Sequence, residues 1–189
     1  MTEKIKLGHP LDPSTGMGPV ISEKQMNKVL DYIESGKDEG ARLVCGGKRA
    51  EGPGLDNGYY IEPTIFADVT NDMRIAQEEI FGPVLCVMKY KEIDEAINIA
   101  NDTNYGLSAG IWSRDVTTAN EIATKLEAGT VWVNEWHVFR NDAPFGGYKE
   151  SGLGRELGMQ VFNEYTELKS IITSLTTENK QRQALGLIF

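Results

Sequence analysis

The amino-acid sequence predicts an α/β fold built on a parallel sheet with helices on both faces, and three stretches carry that expectation. Val84-Leu85-Cys86-Val87-Met88 is apolar without alternation, as a strand covered on two sides requires. Ile93, Ala96, Ile97 and Ala100 then follow at helical spacing. The order recurs downstream: Leu107 to Trp112 is strand-like, Ala119, Ile122, Ala123 and Leu126 lie on one helix face, and Thr130-Val131-Trp132-Val133 is the next strand. Strands and helices alternating at this spacing imply right-handed crossovers and parallel pairing.

The elements before and after these follow from local signals. Ser22, with Gln25 three residues later, matches a capping box, and Met26, Val29, Leu30 and Ile33 repeat at helical spacing up to Gly36 or Gly40. Arg42 to Cys45 reads as a short strand closed by Gly46-Gly47, and Tyr59 to Phe66 as an extended segment that Pro63 confines to a sheet edge. Asp115 can cap the helix before the last sheet strand, with Gly129 to stop it. From Asn134 to about Arg155 the chain is polar and glycine-rich, longer than a plain connection needs, and such loops often carry function. A short helix from about Glu156 to Asn163 and a final strand from about Tyr165 to Thr173 are expected next, and the tail from Thr176 onward has no evident partner.

Composition narrows the function classes. The 189 residues suffice for one core, and 40% hydrophobic with 25% charged residues is ordinary for a globular chain. A formal net charge of -9, with 19 Lys and Arg residues scattered along the chain, disfavours nucleic acid and anionic membrane as partners. No apolar run reaches membrane-spanning length and the start lacks a signal-peptide core, so a cytoplasmic location is expected. Cys45 and Cys86 lie in apolar stretches, where thiols act as small hydrophobes.

Several motifs can be weighed by their chemistry. Gly146-Gly147-Tyr148-Lys149-Glu150-Ser151-Gly152-Leu153-Gly154 invites a phosphate-loop reading. The register fails, because Leu153-Gly154 stands where Lys and Ser or Thr must reach phosphate and magnesium, and Leu157 occupies the third glycine position of a dinucleotide fingerprint. His9 and His137 lie at no ligand spacing from a cysteine or from each other, and no nucleophile-elbow sequence accompanies His137, so a metal site and a serine triad are set aside. Glu78-Glu79-Ile80-Phe81-Gly82-Pro83 feeds two carboxylates into a Gly-Pro turn at the entrance to a buried strand. Two readings stay open for it: a carboxylate that accepts ribose hydroxyls beside an aromatic ring that packs on a nicotinamide face, or solvated turn glutamates beside a core phenylalanine.

Glu78-Glu79-Ile80-Phe81-Gly82-Pro83, Asn104-Tyr105-Gly106-Leu107 and Pro144-Phe145-Gly146-Gly147-Tyr148-Lys149-Glu150-Ser151-Gly152 occur in the order and spacing of the aldehyde dehydrogenases, which this chain resembles. Gly8-His9-Pro10-Leu11-Asp12-Pro13, Gly129-Thr130-Val131-Trp132-Val133-Asn134 and Gly154-Arg155-Glu156-Leu157-Gly158 extend the resemblance up to about Thr173. It implies a parallel, Rossmann-like sheet, with Glu79 on the nicotinamide ribose of NAD or NADP and Phe81 against the ring. Phe145 and Phe139 would line the aldehyde tunnel, Glu156 would be a buried glutamate serving water or proton transfer, and Arg155 would pair with Glu167 near a subunit contact.

The implied reaction is attack of a cysteine thiolate on an aldehyde, hydride transfer to nicotinamide, and thioester hydrolysis by a water that a glutamate activates. The Gly-Gln-x-Cys type segment of the nucleophile does not occur in this sequence, and neither Cys45 nor Cys86 lies in a comparable context. The resemblance therefore implies residues 1–163 as part of a catalytic domain, 164–175 as an oligomerisation strand and 176–189 as a tail. No catalytic nucleophile is expected in the chain, which should be inactive by itself, bind the cofactor at best weakly and tend to self-associate or form a homo-oligomer.

Overall fold

The computed structural model describes residues 1–173 and Leu175, which divide into two compact units. The first comprises Met1–Val138 with Gly146–Leu153, and the second comprises Phe139–Phe145 with the described residues from Gly154 onward. The boundary between the two units thus runs through the glycine-rich loop. The expected tail, 176–189, lies outside the described residues.

In the first unit, helix α1 spans Glu23–Asp38 and starts where anticipated, with the Ser22 hydroxyl accepting from the Gln25 backbone N–H at 3.2 Å. Its apolar face, Met26, Val29, Tyr32 and Ile33, packs with Ile61, Phe66, Val69, Ile75 and Ile80 into the core. Gly36 lets that face approach its neighbours closely, since a Cβ there would stand 2.8 Å from Ile75 Cδ1. Strands β1 (Arg42–Cys45), β2 (Thr64–Ala67) and β3 (Val84–Cys86) form one sheet, with β1 antiparallel and β3 parallel to β2. The edge expectation for Tyr59 to Phe66 is corrected here: β2 is central, and Pro63 precedes the strand, so its missing N–H costs no ladder bond. The Thr64 N–H, the first of the strand, donates to Pro83 O at 2.8 Å.

β3 is shorter than the apolar run that announced it, and only one of its faces is covered. Val84 and Cys86 pack on the core, whereas Leu85 is 57% exposed on the opposite side. After the single-turn helix α2 (Arg74–Gln77) and β3 come α3 (Ile93–Asn101), β4 (Tyr105–Gly106) and a βαβ unit: β5 (Ser108–Ile111), α4 (Val116–Lys125) and β6 (Thr130–Val133), with β5 and β6 parallel. Asp115 caps α4, its Oδ1 accepting from the N–H groups of Thr117 at 3.0 Å and Thr118 at 3.3 Å. The helix ends at Lys125, before Gly129. β7 (Tyr148–Lys149) pairs antiparallel with β4. The fold is α/β as expected, but the described strands form three separate sheets, of which the first is mixed, instead of one parallel sheet.

In the second unit, Phe145 and Glu156 exchange backbone hydrogen bonds of 2.7 and 2.8 Å. That bridge, with Leu157 at φ 59° and Gly158 at φ 58°, prevents a helix from starting at Glu156; helix α5 spans Val161–Tyr165 instead. The segment expected as an intersubunit strand, Tyr165 to Thr173, pairs with no other strand among the described residues of this chain, and Leu168, Ile171 and Ile172 are exposed. An apolar alternation marks what a segment could pair with, but a strand needs a neighbour to satisfy its backbone. No helix among the described residues is long and apolar enough to cross a membrane.

Candidate functional site

The turn Glu78–Pro83 enters β3 at its amino end, whereas ligands in open α/β sheets gather at carboxyl ends, so what marks this turn as a site is its own geometry. Ile80 is buried in the core and anchors it. Phe81 follows at φ 56°, a left-handed conformation costing a non-glycine residue on the order of 1–2 kcal/mol, and the residue is 73% exposed. Gly82 lies against α1 so closely that a Cβ would stand 2.5 Å from Val29 Cγ2. The Gln25 side chain donates from Nε2 to Ile80 O at 3.2 Å and Phe81 O at 3.0 Å. In a capping box that amide would reach back to the start of its own helix; here it holds the strained turn.

The two glutamates have different surroundings. Glu78 Oε2 accepts from the Tyr32 hydroxyl at 2.7 Å and from Arg74 Nε at 3.1 Å, and the Arg74 guanidinium lies 4.2 Å from the Tyr32 ring centroid. The Tyr32 hydrogen bond, with Arg74 beside it, holds the Glu78 carboxyl below the usual carboxylate range. Glu79 makes no hydrogen bond or ion pair with the described residues, and it lines a cavity of about 580 Å³ together with Asn101, Tyr105, Ser108 and Ser151. A free acceptor and an exposed ring, separated by one buried anchor, suit a ribose and a flat heterocycle. The alternative in which Phe81 is a core residue is excluded by its exposure.

Within the second unit, Phe139 and Phe145 come together edge to face, with centroids 5.0 Å apart and planes at 84°. The Glu156 backbone pairs with Phe145, and its side chain is exposed in this chain, not buried. Arg155 Nη1 donates to Gly154 O at 2.6 Å. The pairing of Arg155 with Glu167 is not made, because Glu167 lies on the exposed segment after α5 and forms no ion pair among the described residues. His137, in the first unit, stacks on Trp136 with centroids 4.8 Å apart and planes at 16°.

Both thiols are free. Cys86 Sγ donates to Ile75 O at 3.3 Å, and burial pushes its pKa up, the wrong direction for a nucleophile that must react as thiolate. Cys45 Sγ lies 3.7 Å from Pro63 O at the end of β1. Sequence reasoning missed Gln25, Tyr32 and Arg74 as parts of the turn: Gln25 read as a cap and Tyr32 as part of a helix, and nothing local announces a partner 46 residues away.

Fold and site together define an α/β protein that presents a free carboxylate and an exposed aromatic ring on one strained turn. It belongs to the aldehyde dehydrogenase family, whose model matches residues 1–171. Aldehyde dehydrogenase 1A1 of Bos taurus is 52% identical over 177 residues, covering 94% of this chain and 34% of that protein. Betaine aldehyde dehydrogenase of Brucella anthropi is 48% identical over 174 residues, covering 92% of this chain and 36% of its own length. Among solved structures, the NAD+ complex of aldehyde dehydrogenase from Bacillus cereus superposes with a TM-score of 0.88 at 48% identity, over 93% of this chain and 35% of that one. The Mycobacterium tuberculosis aldehyde dehydrogenase complexed with NAD+ gives 0.87 at 48% identity, over 94% and 36%. The chain thus spans about a third of the length of the relatives it matches.

Proposed function

We propose that these 189 residues contribute the later part of an aldehyde dehydrogenase catalytic domain, in a cytoplasmic enzyme that oxidises an aldehyde to a carboxylic acid with NAD+ or NADP+. The observation that carries this reading is the Glu79–Phe81 turn. Glu79 would accept hydrogen bonds from the nicotinamide ribose, and Phe81, already held in its left-handed conformation, would pack on the ring. The bound nicotinamide supplies the hydride acceptor. Phe139 and Phe145 form an apolar wall for the aldehyde, and Glu156 serves as a proton relay once covered by the rest of the enzyme.

The nucleophilic cysteine, the general-base glutamate and the dinucleotide-binding domain come from outside these residues, in the same polypeptide or another. The same additions would extend the parallel pairs β2–β3 and β5–β6 toward the Rossmann-like sheet that the family resemblance implies, covering Leu85 and its neighbours. The polypeptide 1–189, supplied with aldehyde and NAD+ or NADP+, is therefore expected to form no reduced cofactor above background. Adding a chain that carries the upstream region restores it. Aldehyde-dependent reduction by the purified polypeptide, lost on changing Cys45 or Cys86, refutes the assignment.

A second reading, an interaction module, is favoured by the exposed Leu168, Ile171 and Ile172 on the segment after α5. The segment would pair with a neighbouring subunit, with Arg155 and Glu167 meeting near that contact. Light scattering should then show the average mass of the chain rising with concentration, through self-association. A constant monomer mass across a wide concentration range contradicts it. Co-purification with an intact relative, without new activity, would favour this module over a half-enzyme.

A further inference from the structure

We propose that Tyr32, Glu78 and Arg74 form a positioning clamp that fixes the Glu79–Phe81 turn for the cofactor, an inference that rests on the reading of Glu79 and Phe81 as ribose and nicotinamide contacts. A left-handed phenylalanine with an exposed ring persists only if its surroundings over-determine it. One face of α1 supplies the determinants at positions i, i+4 and i+7: Gln25 holds the carbonyls of Ile80 and Phe81, Val29 receives Gly82, and Tyr32 holds the side chain of Glu78. The motif is thereby pinned at both ends, Glu78 through its carboxylate and Gly82 through close packing.

Arg74 adds charge to the geometry. Two consecutive carboxylates repel each other, and a free Glu78 would compete with Glu79 for any hydroxyl presented to the turn. With Glu78 Oε2 occupied by the phenol and the guanidinium, its charge is compensated and Glu79 is left as the open acceptor. Lys28 is the other cation facing Glu78, and its Nζ lies 5.6 Å from the Tyr32 ring centroid. The three residues thus decide which glutamate of the pair meets the ribose.

The test uses the full chain, with nuclear magnetic resonance relaxation and nicotinamide mononucleotide as the probe. In Tyr32→Phe, backbone order parameters of Glu79, Ile80 and Phe81 are expected to fall from about 0.85 to below about 0.6, while those of β6 stay unchanged. The probe concentration needed to shift these amides rises about tenfold, the equivalent of one hydrogen bond. Glu78→Gln, which keeps an acceptor for the phenol, retains more of the order than Glu78→Ala. Unchanged order at the turn in Tyr32→Phe overturns the clamp, as does an equal loosening of β6, which would mark a general structural role. If the probe shifts the wild-type and Glu79→Gln turns alike, or neither, the cofactor reading fails and the inference with it. If Glu79→Gln abolishes the shifts and Tyr32→Phe changes nothing, the reading stands and the clamp alone falls.

Discussion

Phe66→Ala is expected to lower the stability of the chain by about 3–5 kcal/mol, a large part of what holds a domain of this size together. Phe66 is fully buried on the central strand of the first sheet, between β1 and β3. Its ring reaches the helix above, where a Cβ on Gly36 would stand 3.3 Å from Phe66 Cζ. The neighbours cannot close the space it would leave, because Val29 and Ile33 are themselves fully buried on a helix tied to the Glu78–Pro83 turn. The cavity term is therefore added in full to the lost transfer energy. Urea unfolding should show a lower midpoint with an unchanged slope. Leu85→Ala, on the open face of β3, is the comparison, with an expected change of about 1 kcal/mol or less. Equal losses from the two substitutions would mean that the core is not where the packing places it.

The elements whose signals are local were legible in the sequence. Ser22 and Asp115 cap α1 and α4 at the residues expected, and the periodic apolar positions fall inside α1, α3 and α4 except Leu126, which is the C-cap of α4. What could not be read were the choices made by distant groups. Pro63 suggested an edge because the strand boundary one residue later is invisible to propensity. Glu156 looked like a helix start, but its backbone bonds to Phe145 eleven positions earlier in the chain. Tyr165 to Thr173 alternates like a strand, yet no neighbour within the described residues completes it. At the site, the double carboxylate was visible, but which member is free is decided by Tyr32, a residue of α1 that the helical pattern Met26, Val29, Leu30 and Ile33 did not include and that the structure places in the core. The tunnel and relay roles of Phe139, Phe145 and Glu156 came from family resemblance alone, since side chains in an irregular loop carry no periodic signal.

Gly129→Ala should be nearly as damaging, at about 3 kcal/mol or more, for a reason that also settles what the glycine-rich stretch is for. A Cβ on Gly129 would fall on the carbonyl oxygen of Gly146 and 2.8 Å from its carbonyl carbon. Backbone cannot rotate aside as a side chain can, so the start of β6 and the Gly146–Ser151 segment would have to separate. Gly147 repeats the arrangement one layer on: its Cβ would meet the carbonyl carbon of Ser151 at 2.6 Å, while Ser151 Oγ accepts from the Gly106 N–H at 2.9 Å. The glycines thus let three backbone segments approach closely, which explains a loop that looks built for phosphate yet fails the phosphate-loop register. Gly18→Ala, where the nearest atom to an added Cβ would be 3.6 Å away, should leave the unfolding midpoint within about 0.5 kcal/mol of wild type. If Gly129→Ala and Gly147→Ala instead kept the wild-type midpoint and lost only a stabilisation that depends on added phosphate, the glycines would be serving a ligand and close packing would not account for them.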